Sequence, residues 1–80
     1  MIVIISTEDK NTQLSIISKN TEKFIKLEEK FYEAFPNFSQ TENSFTVNGN
    51  KINKYQNLEE NGINNSDIII IQENLNNKAK

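Results

Sequence analysis

The chain has 80 residues and a net charge of −2, contains no cysteine or histidine, and draws every basic residue from lysine. Disulfides, thiolate nucleophiles and zinc–thiolate sites are thereby excluded, and the commonest general base and metal ligand at neutral pH is missing. A pI near 5.1 without arginine argues against nucleic acid as a partner, because the bidentate guanidinium contacts that read phosphate and guanine are absent.

This length makes one domain, with a core worth only about 3–5 kcal/mol of net stability. Met1 to Ser6 is continuous and β-branched, as suits a central strand. A turn at Glu8 to Asn11 leads to Thr12 to Ser18, where Leu14 and Ile16 alternate with Gln13 and Ser15 in the period of a half-buried strand. Asn20 or Thr21 is expected to cap a helix that runs to about Phe35, with Glu22 in its first turn. Phe24, Leu27, Phe31, Ala34 and Phe35 form its apolar stripe, and Pro36 stops it. A polar loop, Asn37 to Asn43, precedes a hairpin of Ser44 to Val47 and Lys51 to Asn53 around Asn48-Gly49. Both of these residues tolerate the positive φ of a type I′ turn. Glu59 to Gly62 reads as a short helical turn ended by glycine. Ile68 to Ile71 forms a second fully apolar strand, and the polar residues 74–80 are expected to be a flexible tail beyond a domain of residues 1–73.

The order β-β-α-β-β-β is that of an α+β chain. Several features together resemble a ubiquitin-like β-grasp domain over Met1 to about Gln72: the apolar start at Met1, the hairpin with Thr12 and the helix opening near Thr21. Phe45-Thr46-Val47-Asn48-Gly49-Asn50-Lys51-Ile52, Leu58, Gly62-Ile63 and Asp67 to Ile71 complete the pattern. The resemblance implies a mixed sheet with one helix packed on one face. It also identifies departures. Ubiquitin-like modifiers and the related sulfur carriers use a terminal Gly-Gly, whereas the only glycines here are Gly49 and Gly62, so a non-conjugated member is expected. The positions matching the family's usual apolar recognition patch, near Glu8 or Asp9, Thr46 and Gln72, are all polar. Burying such groups unpaired costs about 1–3 kcal/mol each, so receptors of that patch are not expected to bind.

If Val3 and Ile5 face the helix, as the resemblance implies, alternation turns Ile2 and Ile4 to the opposite face, and Ile68 and Ile70 with them. The first and last strands are neighbours in this family, so these four residues should form an apolar cluster with Ile17 and Thr46 at its margin. A patch of this kind marks an interaction surface. The bland reading is a compositional excess of isoleucine.

Other candidates are weaker. Glu28-Glu29 and Glu59-Glu60 read as solvated charge, since adjacent helical side chains diverge and no histidine accompanies them. Asp67 with Glu59 and Glu60 lacks calcium-loop spacing and reads as a turn carboxylate. Tyr32 and Tyr55 are the aromatics expected at the surface.

These residues point to a non-catalytic protein-binding module without cofactors, acting as an adaptor or small subunit of an assembly. The competing reading is a freestanding regulator that binds one protein transiently, through the helix side or the sheet edge. The open sheet face could also support weak self-association. With no leader or membrane-spanning run in the sequence, the expected location is intracellular, cytoplasmic by default.

Overall fold

The computed structural model describes residues 1–73; the tail expected at 74–80 lies outside the described residues. Strands β1 (Ile2–Thr7) and β2 (Gln13–Ile17) form the first hairpin, followed by helix α1 (Phe24–Ala34) and a 3-10 helix (Pro36–Gln40). Strands β3 (Asn43–Val47), β4 (Asn50–Lys51) and β5 (Ile68–Glu73) complete a five-stranded sheet in the order β2-β1-β5-β3-β4. The central β1–β5 pair is parallel and the other three pairs are antiparallel, so the sheet is mixed. Two apolar β-branched runs, Ile2 to Ile5 and Ile68 to Ile71, thus lie side by side at the sheet centre, the position that favours such runs.

Alternation along both runs sends Val3, Ile5, Ile69 and Ile71 to the helix side, where they are buried against Phe24, Leu27 and Phe31. The Phe24 and Phe45 rings meet edge to face at 5.0 Å, joining α1 to β3. At the hairpin, Asn48 (φ 52°) and Gly49 (φ 81°) both occupy the left-handed region that the turn requires.

The structure differs from the sequence-based expectations at element boundaries and in the burial of Ala34, Phe35 and Glu28. Helix α1 begins at Phe24, with Lys23 extended as the N-cap and no side-chain cap, rather than at Asn20 or Thr21. Its first N–H groups are satisfied from elsewhere in the chain: Phe24 donates to the Gln56 carbonyl at 3.0 Å and Ile25 to the Lys54 carbonyl at 2.9 Å. The carbonyls of Asn20 and Glu22 are meanwhile engaged by the N–H groups of Glu59 and Leu58, both at 3.0 Å, so residues 20–22 form a turn and Lys23 an isolated bridge to Asn57 in place of a first helical turn. Glu22 accordingly precedes the helix instead of occupying its first turn. The helix stripe is also shorter than its spacing implies, because Ala34 is exposed and Phe35 only half-buried. The expected polar loop contains the 3-10 helix, whose Phe38 reaches back to Phe31 with ring centroids 5.2 Å apart. Strand β4 is Asn50–Lys51, starting one residue and ending two residues earlier than expected, and Ile52 leaves the strand to enter the core. Glu28, read as solvated, is buried.

Candidate interaction surface

One face of the sheet carries α1, and among the described residues no element covers the other. Ile4 lies opposite Ile68 across the parallel β1–β5 pair, Thr46 opposite Ile70 across β3–β5, and Ile2 opposite Ile17 across the hairpin. Ile2, Ile68 and Ile17 are 44%, 46% and 78% exposed, and Ile4, Ile70 and Thr46 are half-buried among them. The register therefore gathers all six residues singled out in the sequence on one open face, with Ile17 at its β2 margin.

The face changes character along the strands. Ser6, next to Ile70 and Gln13 in register, is fully buried despite pointing to this side. Its hydroxyl donates to the Thr7 carbonyl at 2.8 Å and accepts from the Gln13 amide at 3.3 Å. Beyond it, the Gln72 amide donates to the Glu8 carboxylate at 2.8 Å. Asp9 is tied into its own turn: the Thr7 hydroxyl at 2.6 Å, then the Asn11 N–H at 3.0 Å, hold its carboxyl below the ordinary carboxylate range. Two of the three positions matching the usual recognition patch, the Glu8-Asp9 turn and Gln72, thus form a hydrogen-bonded polar end, whereas Thr46 lies beside Ile70, and the apolar area extends toward Ile2, Ile17 and Ile68.

A second polar constellation, which the sequence reading missed, sits between α1, β3 and the connection after β4. The Glu28 carboxylate accepts a 2.7 Å hydrogen bond from the Tyr32 hydroxyl and pairs with the Lys54 ammonium at 3.4 Å. The Asn43 amide donates to the Tyr32 oxygen at 2.8 Å and to the Phe38 carbonyl at 2.8 Å, and Thr41 donates to Asn43 Oδ1 at 2.8 Å. Partial burial first, and then the adjacent Glu28 carboxylate, push the Tyr32 phenol up to about 12, against a lowering contribution from the Asn43 amide. The phenol is held as a donor to a charge that is already paired, so neither group is poised as a nucleophile or general base. The only sequence signal for this cluster is the four-residue spacing of Glu28 and Tyr32.

The remaining carboxylates act in turns. Asn57 and Glu60 form a reciprocal capping box: the Asn57 N–H donates to Glu60 Oε1 at 2.9 Å and the Glu60 N–H to Asn57 Oδ1 at 2.6 Å. Asp67 accepts the Asn64 N–H at 2.8 Å. Among the described residues no group of three or more histidine, cysteine or acidic side chains is arranged to hold a metal, and no helix is long and apolar enough to cross a membrane.

No protein-family model matches the sequence, and no curated protein matches it. Solved structures do. The ubiquitin-like domain of an Arabidopsis thaliana protein superposes with a TM-score of 0.77 at 22% identity, covering 100% of this chain and 83% of that one. A ubiquitin-like protein from the hyperthermophilic archaeon Caldiarchaeum subterraneum gives a TM-score of 0.55 at 15% identity, covering 91% of this chain and 95% of its own. The fold is a ubiquitin-like β-grasp.

Proposed function

We propose that this domain is a non-catalytic protein-interaction module, a non-conjugated adaptor or small subunit of a larger assembly, whose partner seats on the sheet face opposite α1. The observation that carries this reading is the exposure of Ile2, Ile17 and Ile68 around half-buried Ile4 and Ile70. Contiguous uncovered apolar area on a small domain is the usual mark of a contact surface, and burying it releases roughly 25 cal/mol per Å². Thr46 borders the area, and its hydroxyl gives the rim one polar contact. The ubiquitin-like fold agrees with a binding role.

The test is affinity capture from a cell extract with the tagged chain beside an Ile4→Ser/Ile70→Ser variant shown by circular dichroism to be folded. A defined set of proteins recovered by the wild type and lost by the variant is the expected result. Equal recovery by both chains refutes this face as the binding surface and directs attention to the helix side, as the transient-regulator reading requires.

A further inference from the structure

The two edges of the sheet differ. At one end β4 is only two residues long, whereas at the other β2 presents five residues and, among the described residues, is bonded to β1 alone. A free edge exposes unpaired backbone N–H and C=O groups, and proteins commonly blunt it with lysine, proline, a bulge or a covering segment. Strand β2, Gln-Leu-Ser-Ile-Ile, has no charge and no proline, and its register with β1 runs without a bulge. Gln13, Ser15 and Ile17 are all exposed.

The phase of the hairpin decides which backbone groups are free. The Met1 amino group donates to the Ser18 carbonyl at 2.8 Å and the Ser18 N–H to the Met1 carbonyl at 2.9 Å, so these residues form a bonded pair. Bonded and non-bonded pairs alternate in an antiparallel ladder, which makes Val3–Ile16 and Ile5–Leu14 bonded as well. The N–H and C=O groups of Gln13, Ser15 and Ile17 therefore point away from β1. They are spaced symmetrically about Ser15.

We infer that β2 is a self-pairing edge, to which a second copy of this chain adds antiparallel about a two-fold axis at Ser15. In that register Ser15 faces its own symmetry mate and Gln13 faces Ile17 on both sides, and each facing pair exchanges two hydrogen bonds. Leu14, half-buried in the monomer, meets Ile16 of the other copy on the helix side. Charge selects the antiparallel arrangement. The turn before β2 is net negative, with Glu8, Asp9 and Lys10, and Lys19 is the first charge after it, so each copy's Lys19 lies toward the other's acidic turn. The contact is isologous and closed, limiting assembly to a dimer. It leaves Ile2, Ile4, Ile68 and Ile70 uncovered and shares only the marginal Ile17 with the proposed partner surface.

Sedimentation equilibrium over about 10 μM to 1 mM, the range of weak association, tests this for the wild type, Ser15→Lys and Ile70→Ser. The wild type and Ile70→Ser are expected to rise from 9.3 kDa toward twice that mass, while Ser15→Lys, which sets like charges across the axis, remains monomeric. Should Ser15→Lys fail to fold, Ser15→Pro removes only an outward N–H and is expected to remain monomeric in its place. The wild-type amides of Gln13, Ser15 and Ile17 should gain hydrogen-exchange protection as concentration rises. A wild type that stays monomeric, association that survives Ser15→Lys, or association lost with Ile70→Ser would overturn the proposal.

Discussion

The Glu28 carboxylate keeps only 7% of its residue surface, and Tyr32 and Lys54 supply the donor and the positive charge that make this tolerable. Lys54 is 44% exposed, so water can replace much of what it gives, whereas the Tyr32 hydroxyl has no such substitute. Tyr32→Phe is therefore expected to cost about 1–3 kcal/mol in urea unfolding, since it strips a buried acceptor of its donor and leaves the Asn43 amide with the Phe38 carbonyl but without the Tyr32 oxygen. The raised phenol adds a pH signature. Between the unfolded value of 10.0 and the folded value of about 12, the unfolded chain has released the Tyr32 proton and the native chain still holds it. The contribution is thus fully present below pH 10 and lost as pH climbs toward 12. In a Tyr55→Phe background, absorbance titration of the one remaining phenol should place its midpoint near the upper value, and the urea midpoint should fall across this window more than in Tyr32→Phe.

Local chemistry made some elements legible and left others hidden. The Asn48-Gly49 turn could be read because both residues act on their own φ, and Gly49→Ala is expected to cost about 1–2 kcal/mol. No atom lies within 4 Å of the added Cβ, so the cost should stay conformational and not grow with a clash. The start of α1 could not be read, because its caps are main-chain carbonyls thirty residues further along the chain. Asn61 holds that capping segment in place. Its amide donates to the carbonyls of Asn53, Gln56 and Asn57 at 2.9, 3.3 and 3.0 Å, and its oxygen accepts the Asn53 N–H at 2.9 Å. Asn61→Ala should lower stability by about 1–3 kcal/mol. Amide exchange should locate the loss, with Phe24 and Ile25 opening at lower free energy while the strand amides follow the global unfolding.

At the scale of the whole molecule, period-2 alternation along β1 and β5 was enough to sort isoleucines between two faces, since one helix can cover only one of them. What alternation alone does not convey is how the open face is divided. Ser6 and the Glu8–Gln72 contact make one end polar, and that depends on cross-strand register rather than on any single strand. The neighbouring residues Ile68 and Ile69 give the direct comparison, being chemically identical and adjacent yet 46% and 0% exposed. Ile69→Ala empties space between the sheet and α1 and should cost about 2–5 kcal/mol, a large share of the stability of so small a domain. Ile68→Ala removes methyl groups that water already reaches, so its effect on the isolated chain should stay within roughly 1 kcal/mol. Paired urea titrations of the two variants measure the difference. An Ile68→Ala cost approaching that of Ile69→Ala would mean that the outer face is occupied in the free protein, whereas a small cost leaves its apolar area free for a partner.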